Sequence, residues 1–557
     1  MIIGKPVRSA QRVIDGLVAH GVRYIFGVPG AKIDEVYDVL ADGGPELVVC
    51  RHEQNAAFMA AAVGRLTGTP GVVLVTSGPG TTNLATGLVT ANTEGDPVVA
   101  LCGSVPLADR LKRTHQSMNA AGVLAPVTKY TAELTDPDSV PEAVANAFRI
   151  ATAEPRGAVG LVLANDVMAA PTKTPTPIAR PVSPLGPAPE AGIEQVAALI
   201  EAAARPVLLV GVRGADVAAC QAVRQLVSAT GLPVAETFQA AGVMSRELEP
   251  HYIGRVGLFR NQPADVLLAH ADVLVTIGYD PVEYDPRLWN EDVSRTILHI
   301  DSLPAQIDNH YQPAAELRGD IAATVRALAA RLAGLSLSAE FSAEIAARRE
   351  ALLEIDQDAA AGAHGPSGLN PAWLVLALRA HLDDGATVAV DMGTNYIHMS
   401  RHFRVYQPRH LLLTNGQQTL GVALPWAMAA TLVRPGSQVV SVSGDGGFLY
   451  SAMELATAVR LGCTFTHVLM RDNTYDMVGF QQVLKLGRKS GVQLGDYDIV
   501  RYAEAFGAHG YRVNSADEFL AALDRALGED GPSIIDVPVD YSHSTDIGAQ
   551  LHEDAFE

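Results

Sequence analysis

Cysteine is scarce in this chain. Its 557 residues include four, Cys50, Cys102, Cys220 and Cys463, too scattered to build a disulfide framework or a metal-binding spacing. Basic charge is also short: 41 Lys and Arg stand against 61 Asp and Glu, and no basic run appears, which argues against a nucleic-acid surface. No apolar stretch is long and uninterrupted enough to span a bilayer, and no signal-peptide h-region is read at the N-terminus. These absences predict a protein of the reduced cytoplasm that partners neither nucleic acid nor membrane. With 18% charged and 48% hydrophobic residues, the chain has apolar surface enough for large cores.

What is present is alternation of helix and strand. Short apolar strands are predicted at Tyr24–Val28, Val72–Val75 and Val98–Leu101, then at Val273–Ile277 and Thr296–Ile300, with another βα pattern at Pro206–Gly211. The proline-rich stretch Pro171–Pro189 reads as one linker and Ala359–Pro371 as another, with a long helical region around Ala322–Glu354 before the second. No short sequence repeat is evident. The expected fold class is α/β, with three doubly wound parallel-sheet domains over 1–170, 190–345 and 368–557.

One stretch carries chemistry on its own. A strand, Gln438–Ser443, runs into Gly444-Asp445-Gly446-Gly447. A helix is expected through Phe448, Ala452, Leu455 and Val459, closed by Gly462, and a second strand, Phe465–Met470, delivers Asp472. Two carboxylates at the ends of neighbouring parallel strands lie where open α/β sheets bind ligands. Glycines admit an anion close to the backbone and a helix N-terminus favours negative charge. Carboxylates with a carbonyl and phosphate oxygens suit a hard cation such as Mg²⁺. Arg51-His52-Glu53 ends an apolar strand and starts an alanine-rich helix; taken alone, Glu53 reads as a surface carboxylate favoured at a helix N-terminus.

The spacing of Asp445 and Asp472-Asn473 resembles the thiamine-diphosphate motif. Further segments are similar to acetolactate synthases in family order along essentially the whole chain. They include Phe26-Gly-Val-Pro-Gly-Ala-Lys-Ile33, Arg51-His-Glu-Gln-Asn-Ala-Ala57, Thr76-Ser-Gly-Pro-Gly80, Ala91-Asn-Thr-Glu-Gly-Asp-Pro97 and Thr114-His-Gln-Ser117. Phe238-Gln-Ala-Ala-Gly242, Gly254-Arg-Val-Gly-Leu258, Gly278-Tyr-Asp-Pro-Val-Glu-Tyr284, Asp391-Met-Gly-Thr394 and Asn415–Pro425 continue the series.

The resemblance implies condensation of two pyruvates to 2-acetolactate with loss of CO₂, toward acetoin or butanediol, on thiamine diphosphate and Mg²⁺. It implies that Asp445, Asp472 and the Thr474 carbonyl hold the metal, and that Gly393, Thr394, Gly444, Gly446 and Gly447 cradle the diphosphate. Thr76, Asn83, Gln418 and Met477 would touch the coenzyme and Leu420 would wedge beneath it. Glu53 would hydrogen-bond N1′ of the pyrimidine, while Lys32, His115, Gln116, Leu124 and Gln481 would form the substrate pocket, with Lys32 and Gln116 catalytic. Core packing for Leu420, helix capping for Thr76 and Asn83, and plain surface exposure for Lys32 and Gln116 stay open as alternatives. A homodimer or homotetramer with sites at the subunit interface is implied too.

The catabolic, FAD-independent branch of that family fits best. The arginine-bearing segment Gly-x-Arg-Phe-Asp-Asp-Arg of the flavin-binding branch is replaced by Gly278–Tyr284, without arginine, and a tryptophan of that branch is replaced by Gln481. Asn119 stands where an Asp is usual and Leu124 where an aromatic is frequent, so Leu124 is expected to admit a bulkier acceptor. The competing readings are another thiamine-diphosphate carboligase or decarboxylase, a silent binding protein with the same fold, and a dinucleotide oxidoreductase hinted at only by Gly211-Val-Arg-Gly214.

Overall fold

A computed structural model describes residues 6–257 and 262–544, so Leu258 of the Gly254–Leu258 motif lies outside the described residues. Apolar runs too short for helices and rich in β-branched residues become the buried strands of three six-stranded, wholly parallel sheets. The first is ordered Glu46–Val49, Tyr24–Val28, Gly71–Val75, Val98–Ser104, Ala158–Ala164, Tyr130–Leu134. The third runs Leu411–Leu412, Thr387–Val390, Val439–Gly444, Phe465–Arg471, Pro532–Pro538, His509–Arg512. Counted along the chain, both have strand order 2-1-3-4-6-5, an internal repeat of topology that the sequence does not display. The middle sheet is wound 3-2-1-4-5-6, from Tyr252–Val256 through Pro206–Val210 and Val273–Ile277 to Ala315–Arg318.

The first and third units share one core. The Glu53–Thr67 helix packs its Ala56, Ala57, Phe58 and Ala60 among Trp426, Ala427 and Ala430 of the Ala423–Val433 helix. Arg65 stacks over the Trp426 ring at 4.6 Å, pairs with Asp96 at 2.7 Å and donates to the Leu413 carbonyl at 2.8 Å. Asp216 of the middle unit joins all three, accepting from Arg156 at 2.7 Å and Arg409 at 3.0 Å.

Local expectations fail where chain breaks are needed. The region Ala322–Glu354 is two helices, Ile321–Arg331 and Ala339–Ala360, because Gly334 turns left-handed (φ +95°) and the Ser338 side chain caps the second by accepting from the Phe341 N–H. Position 345 therefore falls inside a helix. Pro171–Thr172 is not linker but a short strand paired antiparallel with Val7–Arg8. Helix after Gly444 is interrupted: Asp445–Phe448 is followed by a 3₁₀ turn, Ala452–Glu454, and then Leu455–Leu461, with Gly462 (φ +63°) closing it as expected.

Candidate active site

In the third sheet the strand order reverses between Thr387–Val390 and Val439–Gly444, and a cavity of about 240 Å³ opens there, beyond the strand ends. Gly393 (φ +143°) precedes the Thr394–His402 helix, and the Asp476–Leu486 helix starts opposite. Both helix N-termini present unpaired N–H groups to an anion. The Thr394 hydroxyl donates to Asp476 at 3.0 Å and ties the two helices together. Side chains are not accommodated at two glycines of the floor: a Cβ on Gly446 would lie 2.5 Å from the Tyr475 ring in the crevice wall, and one on Gly447 2.7 Å from Asp391 behind it.

Asp445 and Asp472 face this space. Burial, and then the charge of Asp472, pushes the Asp445 carboxyl up to about 6, although it accepts from the Asn473 N–H at 2.8 Å. Burial likewise raises Asp472, which accepts from the Thr474 N–H at 3.2 Å and hydroxyl at 2.5 Å. Two carboxylates repelling each other in a half-dry crevice are relieved by a cation between them. Among the described residues no group of three or more His, Cys, Asp or Glu is arranged to hold a metal, so a hard ion here needs the carbonyl and ligand oxygens as well. This donor set, with its glycine floor and paired helix ends, fits a magnesium diphosphate.

Of the residues singled out in the sequence, the cavity gathers Gly393, Thr394, Gln418, Leu420, Gly444, Asp445, Gly446, Gly447, Asp472, Thr474, Met477 and Gln481. It does not gather Lys32, Glu53, Thr76, Asn83, His115, Gln116 or Leu124. Most of these lie around the matching reversal point of the first sheet. There the Lys32 N–H donates to the Thr76 hydroxyl at 3.4 Å, Asn83 donates to Glu53 at 2.8 Å, and the Ser77 hydroxyl donates to Gln116 at 3.5 Å. Glu53 is not the surface carboxylate that its position alone suggests; it is buried, 8% exposed. Its helix start is fixed by Glu454 of the third unit, which accepts from the Arg51 N–H at 2.8 Å and the His52 N–H at 3.1 Å.

Leu124 departs from expectation. It is fully buried in the core beside Gly160, where it has no surface from which to select an acceptor. Asn119, in contrast, is exposed and caps the Ala120–Leu124 helix by accepting from the Gly122 N–H. The cavity also holds residues with no role assigned from the sequence, among them Tyr475, Asp476, Val478 and Tyr541. Asp476 had a signal, an acid at the first position of a helix; Tyr541 arrives from a distant segment and had none. Non-glycine residues with positive φ include Gln116 (+61°), Gln418 (+48°) and Asn473 (+60°), all at or beside the expected site.

In the middle unit, the reversal between Pro206–Val210 and Val273–Ile277 is filled from within. Glu283, pushed up to about 8 by burial, accepts from the Val212 N–H at 2.9 Å and the Thr237 hydroxyl at 2.6 Å. Arg213 pairs there with Asp280 at 2.8 Å and Asp301 at 2.9 Å.

Comparison with known proteins agrees with this layout. Residues 7–123 match the thiamine pyrophosphate enzyme N-terminal TPP binding domain, 193–328 the central domain and 391–537 the C-terminal TPP binding domain. The chain is 53% identical over 547 residues to the acetolactate synthase of Bacillus subtilis (strain 168), covering 97% of this chain and 95% of the relative. It is 44% identical over 544 residues to the catabolic acetolactate synthase of Raoultella terrigena, covering 98% and 97%. Against the acetolactate synthase isozyme 2 large subunit of Escherichia coli (strain K12) it is 31% identical, with 96% of each covered. The chain belongs to the thiamine pyrophosphate-dependent acetolactate synthases.

Proposed function

We propose that the protein decarboxylates one pyruvate and joins the remaining two-carbon unit to a second, giving 2-acetolactate and CO₂ for acetoin-type products, with thiamine diphosphate and Mg²⁺ and without FAD. The observation that carries this reading is the pair of carboxylates, buried Asp445 and half-buried Asp472, over a glycine-floored crevice between two helix N-termini. The bound coenzyme supplies an electron sink for the pair released when CO₂ departs.

The protein's part is to bind, orient and keep water out. Asp445, Asp472 and the Thr474 carbonyl hold the metal, while Gly393, Thr394, Gly444, Gly446 and Gly447 receive the diphosphate oxygens. Leu420, Gln418 and Met477 fix the body of the coenzyme. Glu53, held by Asn83, shares a proton with the pyrimidine N1′ atom, and Thr76 and Asn83 line that end. Lys32, His115, Gln116 and Gln481 take the keto acid. Apolar walls around the site keep a proton source away from the reacting carbon, so that coupling to the second pyruvate outruns protonation to acetaldehyde.

Two further readings follow. The cavity is lined only from residues 392–541, whereas Glu53 sits at the first sheet's reversal point, so a complete site draws on two chains: a homodimer at least, or a homotetramer. Independence from FAD is supported by the Glu283 carboxyl on the Val212 N–H, a donor an incoming phosphate would need, and by Arg213 being held by Asp280 and Asp301. Four buried, unpaired cysteines accord with a reducing cytoplasm, and no described helix is long and apolar enough to cross a membrane.

The deciding experiment incubates the purified protein with pyruvate, Mg²⁺ and thiamine diphosphate, with and without FAD. Acetolactate as the main product, unchanged by flavin, is the expected result. Acetaldehyde as the main product, or no turnover, refutes the assignment.

A further inference from the structure

The segment Thr414–Gly421 brings Gln418 and Leu420 to the cavity with no helix or strand of its own, and buried carboxylates hold both of its ends. At the start, Oε1 of Glu94 accepts from the Thr414 hydroxyl at 3.1 Å, the Asn415 N–H at 2.9 Å and the Gly416 N–H at 3.0 Å. At the end, the Gly421 N–H is shared by the two oxygens of Asp391, at 2.8 and 2.9 Å. Between them, the Gln417 amide donates to the Thr93 hydroxyl at 3.0 Å, and the Thr419 and Thr90 hydroxyls pair at 2.8 Å.

Thr90, Thr93 and Glu94 are spaced i, i+3, i+4 on the Ala85–Glu94 helix and so share one face, against which the segment lies. The fit is close: a Cβ on Gly416 would come within 2.1 Å of the Thr93 methyl, and one on Gly421 within 2.5 Å of Tyr450. Glu94 itself sits at a costly place. It is an acid on the last turn of a helix, facing the negative end of the dipole, and burial pushes it up to about 7 despite Arg65 3.8 Å from its other oxygen. Three donors from one loop compensate for that placement. Neither Glu94 nor Asp391 lines the cavity.

We propose that Glu94 is a positioning residue of the coenzyme site, setting through Thr414, Asn415 and Gly416 the backbone from which Gln418 and Leu420 project. Asp391 fixes the far end of the same segment, and Thr90 and Thr93 fix its middle. The first unit thereby shapes the third unit's half-site within one chain. This rests on the coenzyme reading above.

The test combines hydrogen exchange on the coenzyme-free protein with calorimetric titration of thiamine diphosphate and Mg²⁺. Glu94→Leu is expected to speed exchange at the Asn415 and Gly416 amides about tenfold or more, leaving the Phe465–Arg471 strand unchanged, and to weaken coenzyme binding about tenfold. Glu94→Gln, which keeps an accepting oxygen, is expected to restore both to within about threefold of the parent. Exchange that rises equally across the third sheet overturns the proposal, as does a loosened segment with parental coenzyme affinity. If Glu94→Leu does not fold, Thr90→Val removes the tether to Thr419, along with the Thr90 hydroxyl's bond to the Thr86 carbonyl within its own helix, and is read in the same way. A parent protein that binds no thiamine diphosphate sinks the functional reading, while the exchange arm still decides the clamp.

Discussion

Glu53 shows how little a side chain's neighbours in sequence reveal about its task. Its place at a helix start predicts a solvated carboxylate, yet the fold buries it against Asn83, with Glu454 securing the turn before it. The Glu53→Gln variant keeps the size of the side chain and the contact to Asn83 but cannot share a proton. Turnover of pyruvate should fall at least about 100-fold, while coenzyme affinity and melting temperature stay near those of the parent. Parental turnover would remove Glu53 from the mechanism. Leu124 teaches the reverse lesson. A motif position suggested a selective side chain, and the core against Gly160 absorbed it.

Elements were legible where their information is local. Asp445 and Asp472 were readable because two strands and a glycine turn fix their separation, and the strands form at Val439–Gly444 and Phe465–Arg471 with the register Gly444 opposite Met470. The helix between them was read as continuous and is broken, since propensity says little about where a chain must turn to seat a carboxylate. Glu94 was seen only as part of a motif; its partners lie more than 300 positions away, beyond any periodicity.

The strand Phe465–Arg471 carries one more polar element. His467 is fully buried, its ring nitrogens paired with the hydroxyls of Ser441 and Ser443 at 2.8 Å, and burial pulls it down to about 3. Its proton affinity in the folded state is thus below that of the unfolded chain, so its contribution to stability is complete above roughly pH 6.5 and is lost as pH falls toward 3. Between pH 6.5 and 4.5 this amounts to on the order of 2 kcal/mol. Denaturation of His467→Gln across that interval should show a shallower acid loss than the parent. Parallel curves would show that the histidine does not titrate as its burial requires.

At the scale of the whole molecule, the fold class was readable from alternating apolar runs, but the shared 2-1-3-4-6-5 winding of the outer sheets was not, because topology survives when side-chain identity does not. The two reversal points each carry half of the proposed machinery, and in one chain they do not line one cavity. Subunit complementation follows. Glu53→Gln and Asp445→Ala proteins, each inactive alone, should recover about a quarter of parental activity after co-refolding in equal amounts, because half of the dimers then hold one intact site. No recovery, with mixed dimers demonstrated by mass, would place both groups of a site on one chain.

The plug at the middle sheet has a consequence visible to the eye. The Glu283 carboxyl occupies the Val212 amide and Arg213 is paired with Asp280 and Asp301, the contacts on which the proposal of a flavin-free protein rests. Concentrated protein should be colourless, its absorbance confined to the ultraviolet bands of Trp, Tyr and Phe. A yellow tint that persists through dialysis would mean that the plug yields.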